Sequence, residues 1–456
     1  MPSTGPAAPD ASSAAERDSS GLLRRIGLVA ATAITVGNIV GSGIFRSPHS
    51  IAQQIEGLPM VLAAWIGGGA LSLVGSLVLA ELAVLHPRTG GLYVFIREAF
   101  GDLWGFLFGW ASLWVIKPTV IASIVSVFAL YFCEALRLAP GLEPLVGVGA
   151  IVLLTVINLL GVQEGARTQT VLTVLKVAGI ALLCAAAFLL PHGAAPTAGP
   201  LPPPLVPPPL YAGFVTAMIS VLFAYDGWTD ATYVGGEVRN PRRNLPLAIL
   251  GGTVLVIAIY VVTNLAYYAV LSPAEVATIP AVGSETVRRI LGEGGATALA
   301  LLVAISTFGT TNGAILTGPR VTQAMAADGL LFRAAAHVDP RRGTPDTALV
   351  LQAVLSIVWL LAARGFEDVS GWFVTTSWLF YGLTMAATFV LRRRHGAPRE
   401  GYRMPLYPWL PIGFILVTAG LVFSDLTASG WRAWAGVAIA ATGVPVYLLW
   451  KRGRGG

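Results

Sequence analysis

The sequence has little charge. Only 11% of its 456 residues are Asp, Glu, Lys or Arg, whereas a soluble domain has about 25%. Hydrophobic residues make up 55% of the chain, and its mean hydropathy is +0.73. The two cysteines, Cys133 and Cys184, both lie in apolar runs, which argues against a disulfide framework. The composition therefore indicates a chain that folds in lipid.

Motifs for metal, nucleotide or nucleophile chemistry are also missing. The sequence contains no H-E-x-x-H, no G-x-S-x-G and no Walker loop, and its five histidines show no metal-ligand spacing. We therefore expect no metal and no cofactor, and we do not expect an ATP-driven pump. An intramembrane enzyme is the least favoured class of function. The histidines are His49, His86, His192, His337 and His395.

Long apolar runs dominate what remains. Residues 1–22 contain no apolar run of signal-peptide type and are predicted to be a disordered tail. A transmembrane helix needs roughly 20 apolar residues. By this criterion the sequence predicts an all-α membrane protein of about 12 transmembrane helices. The predicted spans are 26–52, 58–85, 104–136, 144–162, 168–190, 210–235, 246–271, 295–322, 347–363, 369–391, 409–425 and 431–450.

The positive charges are distributed unevenly between the loops. If the N-terminus is cytoplasmic, 21 of the 29 Lys and Arg residues lie on the inner side, five lie on the outer side and three lie within spans. Inner loops of membrane proteins carry this excess. We therefore expect a multi-pass protein of a bacterial inner membrane with both termini in the cytoplasm. The same asymmetry explains the net charge of +6 without a nucleic-acid partner, so membrane lipid is the expected environment.

A proline-rich segment suggests how the chain is divided. Residues 192–209 should form a semi-rigid outer loop between two halves. The predicted divisions are a first five-helix unit at 23–191, a second at 210–391, a basic cytoplasmic connector at 392–408, and two last helices with a tail at 409–456.

Two of the predicted spans contain glycine-rich interruptions. The first span contains GNIVGSGIF (37–45), and the sixth contains FAYDGWTD (223–230). Small residues alone can serve close helix packing. Here, however, the interruptions lie five spans apart, as expected when a five-span unit is repeated upside down. Paired interruptions at corresponding positions are typical of a transporter's binding site.

The interruptions offer complementary backbone groups. A half-helix that starts after Ser42 and Gly43 presents free N–H groups to a carboxylate. Carbonyls that end the preceding half-helix, near Ile39, can accept from an ammonium, as can those of Phe223 and Ala224. A zwitterion between the two interruptions would satisfy both sets.

Seven motifs resemble one transporter family. They are GNIVGSGIF (37–45), PRTGGLYVFIREAFG (87–101), IKPT (116–119), VLKV (174–177), FAYDGW (223–228), EVRNPRRNLPLAI (237–249) and FGTTNGAILTGPR (308–320). In this order they resemble the amino acid–polyamine–organocation superfamily, in particular the L-type amino acid transporters and the bacterial serine/threonine exchangers. The resemblance implies a LeuT-like fold: a five-plus-five inverted repeat with helices 1 and 6 broken, followed by two C-terminal helices.

The resemblance also implies roles for individual residues. Ser42 and Gly43 would hold the substrate carboxylate, and the carbonyls of Ile39, Phe223 and Ala224 would hold its amino group. Phe223 would also act as an outer lid. Tyr225 and Asp226 would line the pocket; Asn312 either faces the same site or bonds between helices. The residues expected to form the breaks are Gly37, Asn38, Gly41 and Gly227.

Four charged residues lie inside or beside the spans. Lys176 stands where sodium-coupled relatives bind Na⁺, and its ammonium could bind the Gly37 carbonyl in place of the ion; the alternative is a lysine that snorkels to the interface. Lys117 serves either a kink at Pro118 or the substrate pathway. Asp226 and Asp230 could relay a proton, favour a cationic substrate, or only cap the broken helix.

These expectations combine into one function. We expect a sodium-independent exchanger of small neutral L-amino acids that works by alternating access. Asp226 replaces a glycine of the animal transporters and should favour small side chains. The open alternatives are a proton-coupled symporter and a cationic amino acid or polyamine transporter. Animal members bind a glycoprotein through a cysteine between spans three and four. Residues 137–143 contain none, so no covalently linked heavy subunit is expected.

Overall fold

The chain is helical throughout the part that the computed structural model describes, residues 22–191, 210–362, 366–428 and 431–452. Within these ranges there is no β-strand, only one isolated bridge between Ile26 and Val238. The predicted all-α class is therefore confirmed. The proline-rich segment 192–209 and nearly all of the predicted tail, residues 1–21, lie outside the described residues.

The helices of the first half run from α1 to α8. They are α1 (Leu28–Ile39), α2 (Gly43–Ala52), α3 (Leu58–Leu85), α4 (Leu92–Phe100), α5 (Asp102–Ala111), α6 (Lys117–Leu136), α7 (Glu143–Leu160) and α8 (Val162–Leu189). A π-helical turn, Ser112–Ile116, joins α5 to α6.

The remaining helices run from α9 to α20. They are α9 (Leu210–Tyr225), α10 (Asp230–Tyr233), α11 (Pro241–Val270), α12 (Pro273–Thr278), α13 (Val282–Leu291), α14 (Glu293–Thr317), α15 (Pro319–Ala327), α16 (Asp346–Ala362), α17 (Phe366–His395), α18 (Trp409–Ala428), α19 (Trp431–Ala441) and α20 (Gly443–Arg452).

The lengths of these helices suit a membrane. Among the described residues, ten helical stretches are long and apolar enough to cross it, and Gly213–Tyr225 and Asp346–Ala362 are shorter apolar helices. The two shorter ones fall in the predicted sixth and ninth spans. Large apolar side chains on the outer helices are exposed, as lipid contact requires. Examples are Leu145 in α7, Leu182 in α8 and Phe423 in α18.

Two interruptions divide otherwise continuous spans. The helix is interrupted at residues 40–42, between α1 and α2, and at residues 226–229, between α9 and α10. We call residues 37–43, which include the adjoining helix ends, the first break and residues 223–230 the second break. Both lie within the glycine-rich segments in which the sequence predicts them.

Buried ion pairs hold the ends of distant helices together on the side of the chain termini. Arg320 of α15 binds both carboxylate oxygens of Glu237, at 2.8 and 3.0 Å, and both side chains are fully buried. Arg392 of α17 binds both oxygens of Glu81 in α3, each at 2.6 Å. Each pair satisfies its charges with two parallel hydrogen bonds, the geometry in which a buried arginine is well tolerated. This end of the bundle is therefore tightly connected.

Candidate functional site

The two breaks touch each other at glycines. Gly227 has φ +114°, a left-handed conformation that favours glycine, and a Cβ there would lie 2.7 Å from the backbone carbon of Asn38. A Cβ on Gly43 would lie 2.6 Å from the Cβ of Ala224. Gly43 itself does not have a positive φ. Its need for glycine therefore comes from the close approach of the second break.

A cavity of about 790 Å³, counting the part open to solvent, lies between the breaks. Its wall combines the backbone of both breaks with side chains of α6, α14 and α17. The lining residues are Asn38, Ile39, Gly41, Ser42, Gly43, Phe108, Ile116, Lys117, Val120, Ser123, Ile124, Phe223, Ala224, Asp226, Gly227, Asp230, Tyr233, Thr310, Ala314, Phe373, Ser377 and Tyr381.

Backbone N–H donors and backbone carbonyl acceptors both reach this cavity. The α2 helix starts at Gly43, so its first N–H groups have no partner within the helix. The α1 helix ends at Ile39. Tyr260 of α11 is fully buried, and its hydroxyl lies 2.8 Å from the Ile39 carbonyl and 2.9 Å from the Ala224 carbonyl. One side chain therefore lies between the carbonyls of the two breaks, and the Ile39 carbonyl also accepts from the Gly41 N–H at 2.9 Å.

Lys176 of α8 reaches the first break. Its Nζ donates to the carbonyls of Gly37 and Val40 at 2.9 and 2.8 Å, and it lies 3.0 Å from the Thr310 hydroxyl. The side chain is fully buried. The predicted contact with Gly37 is thus present, and a snorkelling position is not. Lys176 does not line the cavity; it holds the backbone that does.

Two carboxylates of the second break point to different partners. Asp226 accepts a hydrogen bond from the hydroxyl of Tyr381 in α17 at 2.7 Å. Asp230 accepts from Lys117 Nζ at 2.7 Å and from Asn38 Nδ2 at 2.6 Å. Lys117 Nζ also lies 4.5 Å above the ring of Tyr233. Asp230 is therefore neutralised by a buried cation, whereas Asp226 accepts from a neutral hydroxyl.

Lys117 begins α6 directly after the π-helical turn Ser112–Ile116. Such turns occur frequently at functional sites. Lys117 and Asp230 both line the cavity, with side chains 8% and 9% exposed. The structure thus connects Lys117 with Asp230 of the second break and, through Asp230, with Asn38 of the first break.

Two predicted pocket residues lie away from the cavity. Tyr225 is fully buried against Trp65 and Tyr260, with ring centroids 5.9 and 5.0 Å away. Its side chain points away from the cavity because it leaves the helix just before the chain turns. Asn312 also does not line the cavity. It bonds to Asn158 at 2.9 Å and to Gln169 at 3.0 Å, which is the interhelical alternative.

The other predicted residues of the breaks lie where they can shape the backbone. Gly41 lines the cavity, and Gly37 lies against α8, where a Cβ would be 2.2 Å from the Thr173 hydroxyl. Asn38 accepts from Gln169 at 3.2 Å while it donates to Asp230. Its side chain therefore connects the first break with α8 and α10.

The described residues contain no group of three His, Cys, Asp or Glu side chains arranged to hold a metal ion. The polar groups of the site are instead backbone amides and carbonyls, serine and threonine hydroxyls, one carboxylate with a tyrosine partner, and one buried ion pair. This set suits a small zwitterionic ligand. The fold and the cavity together define a multi-pass membrane protein with a cavity between two interrupted helices.

Comparison with known proteins agrees with this class. The amino acid permease family matches residues 26–445, nearly the whole chain. The chain belongs to this family.

Individual relatives cover almost the same length. The serine/threonine exchanger SteT of Bacillus subtilis (strain 168) is 32% identical over 442 residues, which are 95% of this chain and 98% of SteT. The human b(0,+)-type amino acid transporter 1 is 30% identical over 443 residues, 95% of this chain and 89% of the relative. The human large neutral amino acids transporter small subunit 2 is 33% identical over 450 residues, 94% and 80% of the two chains.

Several site residues give no recognisable signal in the sequence. Tyr260, Tyr381, Ser123 and Ser377 are common residue types within apolar helices. Nothing in the spacing separates Tyr260 from Tyr267 or Tyr268 on the same helix. Their roles follow only from the packing of α6, α11 and α17 around the two breaks.

Proposed function

We propose that this protein is a sodium-independent exchanger of small neutral L-amino acids that works by alternating access. The observation that carries the proposal is the contact of Lys176 with the carbonyls of Gly37 and Val40 in the first break. A fixed ammonium there supplies the positive charge that a bound Na⁺ would supply to freed carbonyls. Transport then needs no sodium gradient, and exchange of one amino acid for another suffices. SteT, which is similar over 95% of the chain, is named as an exchanger.

The site residues take roles that follow from their atoms. The N–H groups at Ser42 and Gly43 bind the substrate carboxylate, where the positive end of α2 adds its dipole. The carbonyls of Ile39, Phe223 and Ala224 bind the ammonium. Tyr260 fixes two of these carbonyls and therefore positions the ammonium site. Phe223, whose ring lies 6.4 Å from that of Phe373, covers the substrate from the outer side.

The arrangement of the chain in the membrane is part of the proposal. The excess of Lys and Arg in alternate loops supports cytoplasmic termini in a bacterial inner membrane. We also propose that residues 23–191 and 210–391 are the two inverted five-helix units, joined by 192–209, with 392–408 and 409–456 appended. Amino acid transport, and not an enzymatic reaction, is the activity that the relatives' names support.

The polypeptide is proposed to act alone. One relative is named as a small subunit, which implies a partner for that protein. The loop 137–143 of this chain has no cysteine, and Cys133 is buried within α6. A covalently linked heavy subunit would therefore have no anchor in this loop.

A second candidate function is favoured by one observation. Asp226 lines the cavity and accepts a hydrogen bond from a tyrosine hydroxyl. An ionised carboxylate in this position would attract a cationic amino acid or polyamine, and a carboxylate that titrates could couple transport to a proton. These alternatives differ from exchange of neutral substrates in their dependence on pH and on charge.

Counterflow in proteoliposomes tests the proposal. The purified polypeptide alone is reconstituted, loaded with unlabelled serine and supplied with labelled serine outside. We expect rapid uptake that requires internal amino acid and is unchanged when external Na⁺ is replaced by choline. A panel of twenty unlabelled amino acids, with and without a pH gradient, separates the alternatives. A requirement for Na⁺, for a proton gradient or for a second membrane protein would contradict the proposal.

A further inference from the structure

Buried hydroxyls in this protein follow a common pattern. Serine and threonine side chains in the helices usually donate to the carbonyl four residues earlier, which satisfies them within their own helix. Ser72, Thr155, Thr253, Thr307 and Thr384 all do so, at distances of 2.7–2.9 Å. A buried hydroxyl without such a bond is therefore an exception.

Five buried serine and threonine hydroxyls of the described residues have no hydrogen-bond partner in the structure. They belong to Ser123, Thr344, Ser377, Thr388 and Thr418. Only Ser123 and Ser377 among these five line the cavity between the breaks. They lie on two different helices, α6 and α17, and are 4% and 1% exposed.

The other polar side chains of the cavity wall are largely in use. Asn38 and Lys117 both donate to Asp230, and Thr310 bonds to the carbonyls of the first break. Tyr381, one helical turn after Ser377, donates to Asp226. The other lining residues next to the two serines along their helices are apolar: Val120 and Ile124 flank Ser123, and Phe373 precedes Ser377 by one helical turn. Two hydroxyls thus stand unpaired in a mostly apolar part of the wall.

An unpaired buried hydroxyl discriminates between ligands. A ligand hydroxyl can both donate to and accept from a serine, so it satisfies such groups. A methyl group of the same size leaves them desolvated and unpaired, and the cost of that exceeds the gain from an ordinary hydrogen bond. A site of this kind rejects the analogue that lacks the hydroxyl more strongly than a purely apolar pocket can.

We propose that Ser123 and Ser377 recognise the side-chain hydroxyl of the substrate and make the site selective for hydroxyl-bearing amino acids over apolar ones of the same shape. This inference rests on the proposed function and names the substrate class of the same cavity. The backbone of the breaks binds the ammonium and carboxylate groups that all amino acids share, and the two serines bind the hydroxyl of the substrate side chain.

Threonine and valine are the sharpest pair of ligands for a test, because they have nearly the same shape and differ in one hydroxyl. In reconstituted wild-type protein, threonine should inhibit labelled serine counterflow at least tenfold better than valine. The variants Ser123→Ala and Ser377→Ala should each reduce this ratio by about two- to tenfold, the effect of one neutral hydrogen bond. The double variant should bring the ratio close to one.

The inhibition constant of valine itself separates recognition from a structural role. It should stay the same or improve in each alanine variant, because the wall becomes more apolar. A structural defect would weaken threonine and valine together and leave their ratio unchanged. Ser126→Ala is the matched control on α6, because the Ser126 hydroxyl already donates to the Ser123 carbonyl at 2.8 Å. The ratio of the valine to the threonine inhibition constant in this variant should equal that of the wild type.

The outcomes distinguish this inference from the proposed function. If wild-type protein exchanges amino acids but binds threonine and valine equally, the inference is overturned and the proposed function stands. The inference is also overturned, and the proposed function stands, if Ser123→Ala and Ser377→Ala both keep the wild-type ratio of valine to threonine inhibition constants. If no amino acid is exchanged at all, the proposed function fails and the inference fails with it.

Discussion

The two breaks lie against each other, but they present different chemistry. The first break presents backbone: its carbonyls at Gly37 and Val40 are held by Lys176 and Thr310, which come from other helices. The second break presents charge of its own, with Asp226 and Asp230 held by Tyr381 and Lys117. A lysine ammonium thus contacts each break. Lys176 binds two carbonyls of the first break, and Lys117 binds the Asp230 carboxylate of the second.

This difference suggests a division of work. The fixed ammonium of Lys176 holds the carbonyls of the first break in one arrangement. The first break is therefore suited to bind the backbone groups that all amino acids share. The carboxylates of the second break line the cavity where the side chain of the substrate would lie. We therefore expect changes at the first break to remove transport, and changes at Asp226 to alter which amino acids are transported.

The largest effect is expected from Lys176→Ala. The variant removes two charge-assisted hydrogen bonds from the first break, each of which contributes about 1.5–3 kcal/mol. Counterflow should fall to background while the protein remains monodisperse in detergent. The matched control is Leu175→Ala, a neighbour whose side chain is 48% exposed on the outside of the same helix. Normal counterflow by Lys176→Ala would show that the first break needs no cation.

A smaller and more selective effect is expected from Asp226→Gly. The change removes a carboxylate from the cavity wall and frees the Tyr381 hydroxyl. Wild-type protein should be inhibited best by small neutral amino acids, and the variant should gain affinity for leucine or phenylalanine. Tyr381→Phe is the control, because it removes the same hydrogen bond without adding space. If Asp226→Gly shows no gain, or if wild type already prefers aromatic substrates, Asp226 does not set the pocket size.

The smallest effect is expected away from both breaks, at the outer ion pair between α12 and α13. Arg289 donates to Glu275 at 2.7 Å, and this hydrogen bond, with those from Ser272, lowers the pKa of Glu275 from about 4.5 to about 2. A lowered pKa stabilises the folded protein above the unfolded pKa, and this stability is lost as the pH falls from about 5 toward 2.

Glu275→Gln should therefore lower the melting temperature by at most about 2 °C at pH 7, since one such interaction is a small part of a large protein's stability. The difference from wild type should shrink at pH 4, and counterflow at pH 7 should be nearly normal. Melting curves of both proteins in detergent at the two pH values measure this. An equal difference at both pH values would contradict the role of the Glu275 charge.

The sequence allowed the helical class and the place of both breaks to be predicted, because long apolar runs and glycine clusters are local signals. The apolar run around Lys176 indicates that this lysine requires a partner, and the family resemblance implied that the partner is the Gly37 carbonyl. The family resemblance supplied the expected site at the breaks.

What could not be predicted depends on packing between distant helices. Tyr225 and Asp226 are adjacent, and both were expected in the pocket, but the turn of the chain places only Asp226 in the cavity wall. Nothing in the sequence around Asp230 indicates that Lys117, 113 positions earlier, is its partner. Gly43 was expected to hold the substrate carboxylate, but its close packing against Ala224 follows only from the structure.

Ligand binding to Gly43→Val tests the central claim, that the substrate lies between the two breaks, most directly. A valine at this position must displace Ala224 and fill the space beside the first N–H groups of α2. Gly149→Val is the matched control, because Gly149 lies on α7 with no atom near its Cβ position. Serine binding to purified protein would be measured by calorimetry. We expect no detectable binding by folded Gly43→Val and wild-type affinity for Gly149→Val. Undiminished binding by Gly43→Val would mean that the site lies elsewhere.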